Sequence, residues 1–126
     1  MGAAVNDIEL QQGASFIQTL TIKDSLGVPI DLTGETYAGQ IRSTSGAIIV
    51  WATFTCTVQN QITNTGEVII SLTPTQTAQI PVPVGIVKKT PRYILEGQYD
   101  IERTKVGGVV DRILEGKASI SGEVTI

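Results

Sequence analysis

Apolar and polar side chains alternate with a period of two along most of this chain. In residues 15–23, Phe16, Leu20 and Ile22 fall on one face while Ile17, Thr19, Thr21 and Lys23 fall on the other, which is the signature of a half-buried strand. Residues 36–42 repeat it, with Tyr37, Gly39 and Ile41 set against Thr36, Ala38, Gln40 and Arg42. The longest run, residues 47–59, puts Ile48, Val50, Ala52, Phe54, Cys56 and Val58 opposite Ile49, Trp51, Thr53, Thr55 and Thr57. Its threonine-rich face is expected to meet water. Val68, Ile70 and Leu72 share a face in residues 67–72, as do Tyr93, Leu95, Gly97, Tyr99 and Ile101 in residues 92–103. Residues 109–120 align Val110, Leu114, Ala118 and Ile120, with Arg112 interrupting the row.

Turn chemistry punctuates these runs. Asp24-Ser25-Leu26-Gly27 has the composition of a type I turn, Asn64-Thr65-Gly66 closes another loop, and Gly107-Gly108 tolerates the positive φ of a hairpin. Thr73 followed by Pro74 offers an N-cap and a first helical residue, so a short helical turn is predicted near residues 74–80. About seven short strands around one helical turn predict an all-β fold, a two-sheet antiparallel β-sandwich of immunoglobulin-like or jelly-roll type. The pattern leaves that choice of topology open. A single domain spans residues 1–126, with possible extended arms at residues 1–12 and 121–126.

Composition agrees with the pattern. Ile, Val and Thr supply 45 of the 126 residues, a β-branched bias that favours pleated strands over helices. The formal net charge of −3 gives the molecule no basic field for nucleic acid, and no apolar run is long enough to suggest a membrane span. The chain has no histidine and a single cysteine. Those counts remove the commonest general base, an internal disulfide and a cysteine-ligated zinc site. Its acids sit in turns or on alternate strand faces with no spacing that selects a catalytic pair, so neither an enzyme nor a cofactor or metal site is expected. Glu102 and Arg103 before the hairpin, with Asp111 and Arg112 after it, predict cross-strand ion pairs.

The candidate site is residues 81–92. No acidic residue lies between Glu67 and Glu96, whereas Lys88, Lys89 and Arg92 stand beside Val82, Val84, Ile86 and Val87. An acidic protein thus carries one basic, apolar excursion, and exposed branched aliphatics of this kind favour cover by another chain or by the chain's own sheet. Trp51, on the threonine-rich face, is the second candidate: it is either covered by another segment or exposed for a partner. Exposed, it would serve a subunit contact or the aromatic platform of a carbohydrate-binding adhesin module.

Three stretches, QQGASFIQTLTIKDSLGVPIDLTGETYAGQIRS at residues 11–43, GEVIISLTPTQTAQIP at residues 66–81 and EGQYDIERTKVGGVVDRILEGKASISGEVT at residues 96–125, resemble small β-sandwich virion proteins of tailed bacteriophages. They are also similar to the N-terminal domain of phage baseplate upper proteins. The resemblance brings no catalytic residues and implies structural work. The expectation is a capsid cement or decoration protein, made in the host cytoplasm, that binds and bridges major capsid protein subunits as a homodimer or trimer. A tail neck or baseplate adaptor is the alternative.

Overall fold

A computed structural model describes residues 3–43, 49–82 and 94–122. It shows an all-β, two-sheet sandwich with one short helix. The large sheet contains β1 (Ala4–Val5), β2 (Ile8–Gln11), β4 (Thr36–Arg42), β5 (Val50–Thr53), β8 (Ile94–Thr104) and β9 (Val110–Ser121). The small sheet, in the order β3-β7-β6, contains β3 (Phe16–Thr21), β7 (Glu67–Leu72) and β6 (Thr55–Val58). Their inner faces meet over Ile41, Tyr99, Ile101 and Ile120 on one side and Val68, Ile70 and Leu72 on the other. Phe54 bridges the layers, with its ring centroid 6.1 Å from Phe16 and 6.0 Å from Tyr99.

Three features depart from the simple alternation. First, the run expected at residues 47–59 divides at buried Phe54, where the chain leaves the large sheet as β5 and enters the small sheet as β6. Hydrophobic parity survives the crossing because each strand presents the same set of side chains to the shared core. Second, two bulges shift the register. Ile41 pairs with Ala52 but Arg42 pairs with Val50, leaving Trp51 as the extra residue. Ile101 pairs with Leu114 but Glu102 pairs with Arg112, leaving Ile113 extra, which explains why Arg112 broke its row. Third, the pairings are antiparallel except at the N-terminal edge, where β1 and β2 run parallel to β9 in one register.

The N-terminal residues sit where an arm was expected, but Ile8 and Leu10 are buried in the sandwich. The strand is interrupted at Asn6 and Asp7, opposite Gly116. A Cβ there would fall 2.2 Å from the Asn6 carbonyl oxygen, which also accepts the Tyr99 hydroxyl, while Asp7 Oδ1 accepts from Lys117 N at 3.0 Å. Glycine is therefore required for the close approach.

The helix α1 (Pro74–Ala78) follows its sequence signal. Thr73 Oγ1 accepts from Gln76 N and Gln76 Oε1 accepts from Thr73 N, closing a capping box. The fully buried Thr77 accepts from Gly13 N at 3.0 Å and donates to Ala14 O at 2.8 Å. One hydroxyl thus fixes the bend that takes the chain from β2 to β3.

Candidate interaction surfaces

Of the expected site residues, Val82 and Trp51 fall among the described residues. Val84, Ile86, Val87, Lys88, Lys89 and Arg92 lie outside the described residues, as do residues 1–2 and 123–126. Val82 is a correction: it is 4% exposed, packed in the chain's own core beside Ile80. The tight turn after the helix, in which Val82 N donates to Ile80 O at 2.8 Å, swings its side chain inward. Trp51 is half-buried against the core, and a Cβ on Gly97 would lie 2.4 Å from its Cζ3. The bulge accounts for this, because an extra residue breaks the parity that had assigned Trp51 to the threonine face. Tyr37 and Tyr99 are buried.

A different surface is built at the end of the sandwich where β3 finishes and β4 begins. Three connections meet there: residues 22–35, residues 59–66 and the β8–β9 hairpin at residues 105–109. Each uses turn chemistry to hold aliphatic side chains out in solvent. Asp24 Oδ1 accepts from Leu26 N at 2.9 Å and Val28 N at 3.0 Å, and Asn60 Oδ1 accepts from Ile62 N at 2.9 Å. Gly107 and Gly108, both at positive φ, turn the hairpin between Val106 and Val109. Leu26 is 87%, Ile62 92% and Val106 71% exposed, joined by Val28, Val109 and Val110.

Polar connectors lock two of the loops to one another and tie the first of them to the strand that leads into the hairpin. Gln61 Oε1 accepts from both Leu32 N at 3.0 Å and Gly66 N at 2.9 Å, tying residues 22–35 to residues 59–66. Beneath them Glu35 receives Arg103 through two bonds, Nε at 2.6 Å and Nη2 at 2.7 Å, and the Tyr37 hydroxyl at 2.9 Å. The Arg103 guanidinium holds the Glu35 carboxyl below its ordinary value, and burial together with Glu35 pushes the Tyr37 phenol well up. This bidentate pair replaces the cross-strand ion pair expected for Arg103, which stands opposite Asp111 in register. Asp111 takes Lys105 instead, at 3.0 Å, and Arg112 reaches Asp100 at 3.3 Å and Glu115 at 3.4 Å.

Sequence reasoning missed this end because exposed aliphatics were sought in one long segment. The signal was present: Asp24-Ser25-Leu26-Gly27, Asn60-Gln61-Ile62-Thr63 and Val106-Gly107-Gly108-Val109 all set branched aliphatics inside turn motifs, where polar residues are usual.

The outer face of the large sheet is of another kind. It curves into a trough of about 610 Å³ lined by Asp7, Gln40, Arg42, Asp100, Arg112 and Lys117, among others. Several of its charges are paired within the face, as the bonds of Arg112 to Asp100 and Glu115 show. Cys56 is half-buried on β6, and desolvation pushes its thiol up, which keeps it protonated and unreactive near neutral pH. Among the described residues, no group of three His, Cys, Asp or Glu side chains could hold a metal ion, and no helix is long and apolar enough to cross a membrane. The chain matches no protein-family model and no curated protein.

Proposed function

We propose that this protein is a non-enzymatic structural subunit whose work is to bind other protein subunits. Its particular role in this reading is that of a cement or decoration protein on the capsid of a tailed bacteriophage, bridging neighbouring major capsid subunits. The observation that carries the first step is the loop end, where five aliphatic side chains on three adjoining loops, with Val110 at the start of β9, are held in solvent. Scattered exposed aliphatics are ordinary, but a rigid cluster of them marks a contact surface. Burying each would return about 1.5–3 kcal/mol, and loops already locked lose little entropy on docking. The second step is supported by the resemblance of residues 11–43, 66–81 and 96–125 to phage sandwich proteins.

Gold-labelled antibody against the chain, applied to particles purified from producing cells, tests the role. Label on heads with bare tails is expected. Label confined to tails would replace the cement role with that of a neck or baseplate adaptor, and absence from the particle fraction would overturn the virion reading. The surface is tested by the triple variant Leu26→Ser, Ile62→Ser, Val106→Ser. It should retain the parent melting temperature while its particle-bound amount falls at least tenfold; unchanged occupancy would acquit the loop end.

A further inference from the structure

The two outer faces of the sandwich differ in charge. Outward positions of the large sheet carry Glu9, Glu96, Asp100, Glu102, Glu115 and Lys117, among other charged groups. The small sheet is built otherwise. On β3, Ile17, Thr19 and Thr21 point outward and are exposed, Ile17 by 70%. On the central strand β7 the outward residues are Glu67, Ile69 and Ser71, each half-buried between its neighbours. On β6 they are Thr55 and Thr57, and Gln59 continues the set just past the strand, where its N–H donates to Glu67 O at 3.0 Å. The register sets these side chains in rows across the sheet, with Ile17, Ser71 and Thr55 in the first, Thr19, Ile69 and Thr57 in the second, and Thr21, Glu67 and Gln59 in the third. Ile69 therefore stands at the centre of the face, and Glu67 is the only charged side chain in these rows. Lys23 comes after the last row, where it bridges to Pro29.

We propose that the outer face of the small sheet is a homodimer contact, in which two copies stack sheet on sheet about a two-fold axis that crosses the strands at Ile69. In a two-fold contact each patch meets the same patch of the other copy, so a face dense in carboxylates repels itself and an uncharged one does not. The single carboxylate also fixes the orientation. An axis running along the strands would set Glu67 against its own counterpart, whereas an axis crossing them sets it against the Ser71 hydroxyl of the second copy. Thr19, Ile69 and Thr57 then each lie opposite themselves. Stacked sheets pack about 10 Å apart, which lets β-branched side chains interdigitate, and an apolar centre ringed by near-neutral residues that exclude water is the usual anatomy of such a contact. Three strands about 4.8 Å apart, with a rise of about 3.4 Å per residue, give a footprint on the order of 300 Å². That is well under the roughly 800 Å² per partner of a standard interface. The dimer is accordingly weak on its own and forms where copies are held close together. The inference goes beyond the docking role of the loop end, which lies on another surface.

The test is sedimentation velocity of the full chain over a dilution series, with amide chemical shifts of the isotope-labelled chain recorded at the same concentrations. The sedimentation coefficient should rise with concentration, and the shifts that follow it should centre on Thr19, Ile69 and Thr57. Ile69→Lys and Ile69→Glu each place like charges on the axis and should weaken association at least tenfold, with circular dichroism unchanged. An equimolar mixture of the two sets lysine against glutamate and should restore it. Glu67→Gln should leave association unchanged or slightly weaker, whereas severalfold tightening would mean that the two carboxylates face each other and would overturn the arrangement. A chain that stays monomeric at every concentration, shifts centred on Leu26 and Ile62, or a mixture of well-folded variants that fails to associate would each overturn the proposal. So would shifts at Thr19 and Thr57 that require a different particle protein, which would assign the face to another subunit. The loop-tip serine variant should dimerise as the parent does, so failure here and failure of the particle assay are read separately.

Discussion

The two ends of the sandwich are built with the same device and put to opposite use. At the helix end, the Thr77 hydroxyl accepts from Gly13 N and donates to Ala14 O, and the neighbouring aliphatics Ile80 and Val82 are turned into the core at 1% and 4% exposure. At the loop end, the Gln61 side-chain oxygen accepts from two backbone N–H groups, of Leu32 and Gly66, yet Leu26 and Ile62 are left almost wholly in water. In each case one side-chain oxygen bonds two backbone groups, at least one of them on a distant segment, which makes a loop rigid without apolar packing. Rigidity spent on buried side chains yields stability. The same rigidity under exposed aliphatics yields a preformed surface of the kind that the proposed docking role would use.

Truncation at the helix end should have the largest effect. Ile80→Ala deletes a fully buried side chain between the sheets and is expected to cost about 3 kcal/mol, the usual range for such cavities being about 2–5 kcal/mol. Urea unfolding would show it as a lower midpoint at unchanged slope. Truncating Ile62 to alanine at the other end should change stability by less than about 0.5 kcal/mol. Comparable losses at both positions would mean that the loop-end aliphatics are covered in solution and that the contrast between the ends is false.

Next in size is the ion pair below the loop end. Arg103→Ala leaves the Glu35 carboxylate with Tyr37 as its remaining side-chain partner, at a cost of about 2 kcal/mol, below the figure for a fully buried pair because some exposure remains. The effect carries a pH signature. The Arg103 guanidinium holds the folded-state Glu35 below its ordinary value of 4.5, so the folded chain binds that proton more weakly than the unfolded chain. The pair's contribution is therefore full above that value and is lost as the pH falls through the folded-state value. Denaturant titrations of parent and variant should converge on acidification below the ordinary glutamate range. A gap independent of pH would assign the loss to packing of the arginine stem.

How much of this was legible in the sequence depends on the range of the interaction. Strands such as Phe16–Thr21 and Glu67–Leu72, and the capping box of Thr73 and Gln76, were readable because they rest on neighbours two or three residues apart. The crossing at Phe54 was not, since alternation is the same whichever sheet a strand joins. A single extra residue at Trp51 or Ile113 shifts every later side chain to the other face; Arg112 breaking its row was a local sign of the second bulge, and none marked the first. Glu35 and Arg103 are 68 residues apart, and their pairing in place of Arg103 with Asp111 is decided by which carboxylate is shielded from water. The loop end was half legible: Asp24–Gly27 and Gly107–Gly108 are marked as turns by local chemistry, whereas the exposure of the aliphatics beside them depends on which segments the fold brings together.

A smaller loss of stability than at Ile80 or Arg103 should come from Gln61, and it bears most directly on what the lock is for. Gln61→Ala removes the acceptor of Leu32 N and Gly66 N and the bond its amide makes to Gln59 O. Because the loops border solvent, water takes over part of that role, and the loss should be about 1 kcal/mol. Local motion should change far more. Amide exchange at Leu32 and Gly66 is expected to accelerate at least tenfold, while Val68 and Ile70 in the small sheet keep their protection. If the end works as a preformed surface, this variant must bind its partner more weakly although every exposed aliphatic is still in place, because docking then bears the ordering entropy that Gln61 had already removed. Faster exchange with unchanged binding would show that the aliphatics act singly, whatever their arrangement. Unchanged exchange would show that the turns are held by Asp24, Asn60 and the paired glycines alone, leaving the resemblance between the two ends a coincidence of geometry.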